Sequence, residues 1–161
     1  VGALNRQNHK RIHLAIEAVS QLNDVSLLIC GDGPDVQYFK DLCTQKLGAQ
    51  RFTIVKVDFA DIPNVYRSVD AFTLPSEDEP FGRVYLEAMA RGLPVVATND
   101  AMRRTLIGKA GVVCDVENTE EYAAAIATTL SIDWANAPIE QAADFSWESV
   151  AERYAEVINS L

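Results

Sequence analysis

Residues 70–98 read DAFTLPSEDEPFGRVYLEAMARGLPVVAT. The apolar run from Asp70 to Pro75 has the length of a buried strand, and the run from Leu93 to Thr98 has the same character. Between them a loop with three acids, Glu77, Asp78 and Glu79, passes through Gly82 into a helix from Arg83 to Ala90, which Gly92 and Pro94 close. Strand, helix, strand is a parallel crossover unit. Strands of near-continuous apolar content belong in a sheet covered on both faces.

The same rhythm continues outward. Strands are expected from Val25 (VSLLICG), Arg51 (RFTIVKV) and Gly111 (GVVCDV), and Val1–Leu4 reads as the clipped end of a sixth. Residues 9–22 carry an apolar helical stripe through Ile12, Ala15, Ile16 and Val19. A second helix opens near Pro34 and closes at Leu47–Gly48, and a short one fits Asp61–Ser68. Glu120 and Glu121 head an alanine-rich helix to about Leu130. Residues 147–160 form a last helix striped by Trp147, Val150, Tyr154 and Val157, with 131–145 as the linker before it. The expectation is one α/β domain over residues 1–161: a Rossmann-like, doubly wound, mostly parallel sheet with helices on both faces. Ligands of such sheets bind beyond the C-terminal strand ends, here the loops 2–9, 31–35, 56–61, 75–82 and 98–104.

Composition narrows the chemistry. The 161 residues are 48% hydrophobic and carry a formal charge of -9, which opposes approach to nucleic acid or an anionic surface. No run approaches the roughly 18 apolar residues of a membrane span, and no secretory leader is evident. Cys30, Cys43 and Cys114 are widely spaced in apolar or helical contexts and read as reduced core residues, pointing to a cytoplasmic setting. His9 and His13 lack a second ligand at metal spacing, so no metal site is expected.

The loops supply the candidate site. Gly31-Asp32-Gly33-Pro34 permits a sharp turn after a buried strand, while neither GxGxxG nor GxxxxGK[ST] occurs. With a helix starting near Gly82, the amides of Phe81, Gly82 and Arg83 are free to receive a phosphate oxygen. Glu79, just outside that helix, suits sugar hydroxyls. Glu87, little more than one turn inside it, can accept from both hydroxyls of a ribose. Either acid taken singly also fits an exposed surface position. Lys10 and Arg11 head the first helix, with Arg6 and His9 before them; cations there oppose the helix dipole and invite an anion such as diphosphate, or else form a wet basic edge. Arg103 or Arg104, beyond another strand, could reach the same pocket.

With these residues in place, the chain resembles the retaining glycosyltransferases built from two facing Rossmann-like domains, the glycogen-synthase, sucrose-synthase and mannosyltransferase-like group. The resemblance rests on the ordered blocks EPFG, LEAMA, GLPVVAT and AGVVCDVENTEEYAAAI around the pair Glu79 and Glu87, and it spans essentially the whole chain as a C-terminal nucleotide-sugar domain. It implies that Glu79 approaches the donor sugar and that Glu87 holds the ribose. Lys10, with Gly2, Arg6 and Arg11 around it, would bind the diphosphate, and the base would rest near Lys56 and Val57. The donor would be UDP- or GDP-linked and no cofactor or metal would be required. An N-terminal acceptor domain would lie outside this chain, without a transmembrane segment but with room for peripheral membrane association of the parent. The isolated domain would be inactive. Two departures from the group's pattern are Ala3, where members commonly carry Arg, and Ala101, Met102 and Thr105, where two glycines and a Glu are common. They keep open a catalytically silent nucleotide-sugar-binding module, while a sugar-nucleotide epimerase of the same two-domain architecture, which would share a phosphate-binding C-terminal half, is the other alternative.

Overall fold

The computed structural model describes residues 2–160. Among these residues six strands alternate with helices, two further helices following at the end: β1 (Gly2–Ala3), α1 (Ile12–Ser20), β2 (Leu27–Asp32), α2 (Val36–Leu47), β3 (Phe52–Val55), α3 (Ile62–Tyr66), β4 (Phe72–Leu74), α4 (Arg83–Met89), β5 (Val95–Thr98), α5 (Ala101–Ile107), β6 (Gly111–Cys114), α6 (Thr119–Ser131), α7 (Ala137–Ala143) and α8 (Trp147–Asn159). A 3-10 turn, Phe59–Asp61, leads into α3. All pairings are parallel.

The strands form two three-stranded sheets, β1-β2-β3 and β4-β5-β6, where a single sheet was expected. The reason is the shortness of β1. It offers β2 only Gly2 and Ala3, opposite Gly31 and Asp32, and so Leu27–Cys30 pair with β3 alone. A cavity of about 590 Å3 separates β2 from β4, lined by Leu27, Leu28, Cys30, Phe72 and Thr73 among others. Val1 of the expected first strand lies outside the described residues.

Helices bridge the two sheets. On one face α1, α2 and α6 share a core that joins Leu4, Ile16, Val19, Ile29 and Phe39 to Val96 and Tyr122. A second cluster packs Tyr66, Phe72, Tyr85, Met89 and Leu106 around β4 and β5. Val95, Val96 and Ala97 of β5 are buried, as a strand covered on both faces requires. Burying one large apolar side chain of this kind is worth about 1.5–3 kcal/mol.

Several local readings are corrected. Helix α1 begins at Ile12, with Arg11 before it in the left-handed region at φ 47°, so Lys10 and Arg11 belong to the loop. Asn8 Oδ1 accepts from Lys10 N at 3.0 Å and Asn5 Oδ1 from Gln7 N at 2.8 Å; these turns compete with helix for the backbone. The loop expected at 98–104 contains the start of α5, capped by Asp100, whose Oδ1 accepts from Arg103 N at 2.9 Å. The linker at 131–145 contains α7, with Pro138 in its first turn. Helix α8 buries none of its residues, and Trp147 is 87% exposed.

All three cysteines are free and buried. Burial pushes Cys43 up to about 11 and Cys114 up to about 12, from 9.0. Acids raised in this way favour the folded state below the unfolded value and lose that contribution as pH climbs from about 9 toward the folded values. None of the three thiols is therefore expected to react with a thiol-specific reagent at pH 8 until denaturant is added. Rapid native labelling of Cys43 or Cys114 would contradict the packing.

Candidate functional site

The C-terminal strand ends bring together the loop after β1 and the acidic loop after β4. Lys10 Nζ lies 3.6 Å from Glu79 Oε2, and each side chain is only 17% exposed. The His9 Nε2 atom is also 3.6 Å from Glu79 Oε2. These separations exceed a hydrogen bond, so the ammonium keeps its donors while sharing a site with the carboxylate. Glycine explains how the lysine lies down: a Cβ on Gly2 would fall 2.7 Å from Lys10 Cε.

Gly82 precedes α4 at φ 81°, ψ 52°. A Cβ there would sit 2.5 Å from Tyr85 Cδ2 and 3.3 Å from Glu79 Cγ. Among the described residues, no backbone acceptor engages the amides of Phe81, Gly82 or Arg83. Gly82→Ala should lower the unfolding free energy by about 1–2 kcal/mol through the left-handed backbone alone. A urea melt superimposable on the parent's would show that the turn relaxes without cost.

The remaining expected residues have separate surroundings. Arg6 turns to α2, where its backbone N and Nε donate to Asp35 at 2.8 and 3.2 Å and its guanidinium lies 4.8 Å from the Tyr38 ring. Arg11 donates through Nε to Pro75 O at 3.0 Å and through Nη1 to Glu117 at 2.6 Å. Lys56 meets Asp32 at 2.7 Å on the surface, beside Val57; that bond raises the lysine pKa and, with the Gly33 amide, lowers that of Asp32. Glu87 accepts from Tyr66 OH at 3.2 Å. Burial, then the Glu87 charge, pushes the Tyr66 phenol up, so it remains a donor to that carboxylate. Phe81, Arg83 and Glu87 also border an open apolar groove shared with Trp147 and Tyr154 of α8.

Arg103 supplies the feature the residue pattern hinted at least. Its side chain is buried behind the acidic loop and does not enter the pocket, while Arg104 is exposed and donates to Asn99 Oδ1 at 2.6 Å. An acid three residues before an arginine at a helix start was the available signal for the Asp100 cap. Thr98, whose Oγ1 donates to Ser76 O at 2.7 Å, gave no signal of its role. No group of three or more His, Cys, Asp or Glu suited to a metal occurs among the described residues, and no helix there is long and apolar enough to cross a membrane.

Several known proteins are similar to this chain in sequence and fold. The D-inositol 3-phosphate glycosyltransferase of Corynebacterium urealyticum is 29% identical over 180 residues, covering 100% of this chain and 42% of that protein. Glycogen synthase of Mycobacterium tuberculosis is 33% identical over 162 residues, covering 92% and 39%. Among solved structures, Anabaena HepE in complex with UDP superposes with a TM-score of 0.81 at 27% identity, over 99% of this chain and 48% of that one. Sucrose-phosphate synthase of Thermosynechococcus elongatus gives 0.78 at 26%, over 99% and 44%. The chain thus spans less than half the length of these relatives, and it has the α/β fold of one Rossmann-like half of such enzymes. The family model for glycosyl transferases group 1 matches residues 1–146, and the chain belongs to that family.

Proposed function

We propose that this chain is the donor-binding half of a retaining glycosyltransferase that moves a sugar from a UDP- or GDP-linked donor to an acceptor hydroxyl. The observation that carries the reading is the meeting of Lys10 and Glu79, mostly buried, within 3.6 Å at the C-terminal strand ends. The complex of HepE with UDP, a protein of the same fold, supports a nucleotide there.

In this reading Lys10 and the amides of Phe81, Gly82 and Arg83 hold the diphosphate, whose negative charge grows as the C1–O bond breaks. Groups placed where charge develops lower the barrier rather than merely tightening binding. Glu79 accepts from donor-sugar hydroxyls and places C1. The acceptor oxygen bonds to C1 on the face the diphosphate leaves, and its proton passes to the departing phosphate oxygen. Glu87, oriented by Tyr66, takes the ribose hydroxyls. Gly2 lets the Lys10 stem lie flat, and the backbone at Lys56 and Val57 borders the base. Arg6 and Arg11, already paired with Asp35 and with Pro75 and Glu117, shape the rim and contribute positive potential. The exposed α8 stripe fits a covering surface supplied by an N-terminal acceptor domain of the parent.

Calorimetric titration with UDP and GDP, with and without magnesium, tests this reading. One nucleotide should bind saturably and lose about tenfold in affinity in Glu87→Ala, the loss of one hydrogen bond to a charged group. Absence of binding in both this chain and the two-domain parent overturns it. A silent binding module is the second reading, favoured by Ala3, which presents only a methyl group at the sheet edge. Nucleotide binding without transfer by the parent would select it.

A further inference from the structure

One main-chain bond, from Glu77 N to His9 O at 2.8 Å, and several side chains hold the end of β4 and the backbone of the acidic loop. Tyr85 OH donates to Leu74 O at 2.9 Å, Arg11 Nε to Pro75 O at 3.0 Å and Thr98 Oγ1 to Ser76 O at 2.7 Å. Arg103 takes the stretch nearest the candidate site. Its Nη1 donates to Glu79 O at 2.7 Å and its Nη2 to Glu77 O at 3.1 Å, with a longer contact of 3.5 Å to Ser76 O.

The arginine is 4% exposed, and a charge so far from water must be matched by partners. Asp100 Oδ2 lies 2.9 Å from Nε but off the hydrogen-bonding line, so it acts as a counter-ion rather than a directed acceptor. The directed bonds go to the loop carbonyls. A planar fork with fixed donors can span two carbonyls at once, which the single ammonium of lysine does not reproduce. Asp100 also accepts from Arg103 N, so the first turn of α5 and the guanidinium are set by one carboxylate.

We propose that Arg103 is a positioning residue for Glu79: by holding the carbonyls of Glu77 and Glu79 it fixes the backbone from which the Glu79 carboxylate reaches Lys10 and the donor sugar. The proposal rests on the donor-site reading above. It also gives a task to the segment after β5, where Ala101, Met102 and Thr105 depart from the pattern of related enzymes. Here α5 grips the acidic loop from behind with a buried cation.

Two measurements on Arg103→Lys test it, with Arg103→Gln as the second variant where the first does not fold. In amide hydrogen exchange, the Glu77 amide, which donates to His9 O at 2.8 Å, should exchange at least about tenfold faster than in the unsubstituted chain, while β5 and α6 keep their protection. Unchanged exchange at Glu77 overturns the proposal. In calorimetry with UDP and UDP-glucose, the variant should reproduce the pattern of Glu79→Ala: a loss of about tenfold for UDP-glucose against less than about threefold for UDP. A pattern unlike that of Glu79→Ala, including equal losses for both ligands, overturns it in favour of a purely structural role. If neither the unsubstituted chain nor the two-domain parent binds UDP, GDP or UDP-glucose, the donor-site reading fails and the positioning of Glu79 for a donor falls with it. The exchange measurement still decides whether Arg103 holds the loop.

Discussion

Replacing Lys10 by alanine is expected to weaken nucleoside diphosphate binding by about 100-fold, or roughly 2.7 kcal/mol, within the range for a charge-assisted hydrogen bond removed from a largely buried site. Two effects add. The ammonium is no longer there to meet the phosphate, and Glu79 loses a cation 3.6 Å away, so a carboxylate left with His9 and the Ser76 hydroxyl beside it faces the diphosphate. At 17% exposure, screening by salt is weaker than at a surface pair, and most of the loss should persist at 0.5 M salt. Lys10→Arg should recover less than tenfold of it, because the Lys10 stem occupies the space a side chain on residue 2 would fill, leaving little room for a broader guanidinium. The check is isothermal titration with UDP and GDP. A loss under threefold for the nucleotide that binds would remove Lys10 from the diphosphate site.

The second large effect concerns the support beneath that site. Tyr85→Ala is expected to cost about 3–5 kcal/mol of unfolding free energy, the usual range for deleting a fully buried aromatic ring. Tyr85 is completely buried, and its ring meets Phe72 edge to face with centroids 5.8 Å apart. Its hydroxyl holds Leu74 O, the last carbonyl of β4, and its ring lies against Gly82. Burial raises the phenol pKa, so the group remains a donor at ordinary pH. Tyr85→Phe keeps the ring and strands only the Leu74 carbonyl, for about 1–3 kcal/mol. Urea unfolding of the three proteins measures both steps. A cost below 2 kcal/mol for the alanine variant would mean that α4 and β4 repack without the ring.

The order of strands and helices was legible because periodicity is local. The alternation in 70–98 and the stripe Ile12, Ala15, Ile16, Val19 report which face is buried, whatever lies opposite. Misses fell where local signals compete. Segment 98–104 offered an Asp cap but no long apolar stripe, and α5 needs its packing of Leu106 and Ile107 against the sheet to be recognised as helix. Lys10 and Arg11 carry no local signal against helix, and it is Asn5 and Asn8 that turn the chain ahead of Ile12.

At the site, residue order alone places the chemical groups at the strand ends: Glu79 before a glycine-led helix, Glu87 within it, and basic residues in the first loop. What each group is free to do follows from the packing of the folded chain. Arg11 and Glu117 are 106 positions apart, and Arg103 and Glu79 are 24 apart. Pairings at such separations depend on how sheets and helices are stacked, and long flexible cations select partners only after the backbone is placed. Lys10 thus joins Glu79, Arg6 turns to Asp35, and Arg103 is drawn beneath the acidic loop, although in the bare sequence all three are basic residues near a strand end. Burial explains the pairings of Lys10 and Arg103, whereas Arg6 stays 58% exposed beside Asp35. A cation in water can remain unpaired at little cost, whereas one enclosed by the fold must find carbonyls or a carboxylate, and the surrounding backbone is held in place by the bonds it makes.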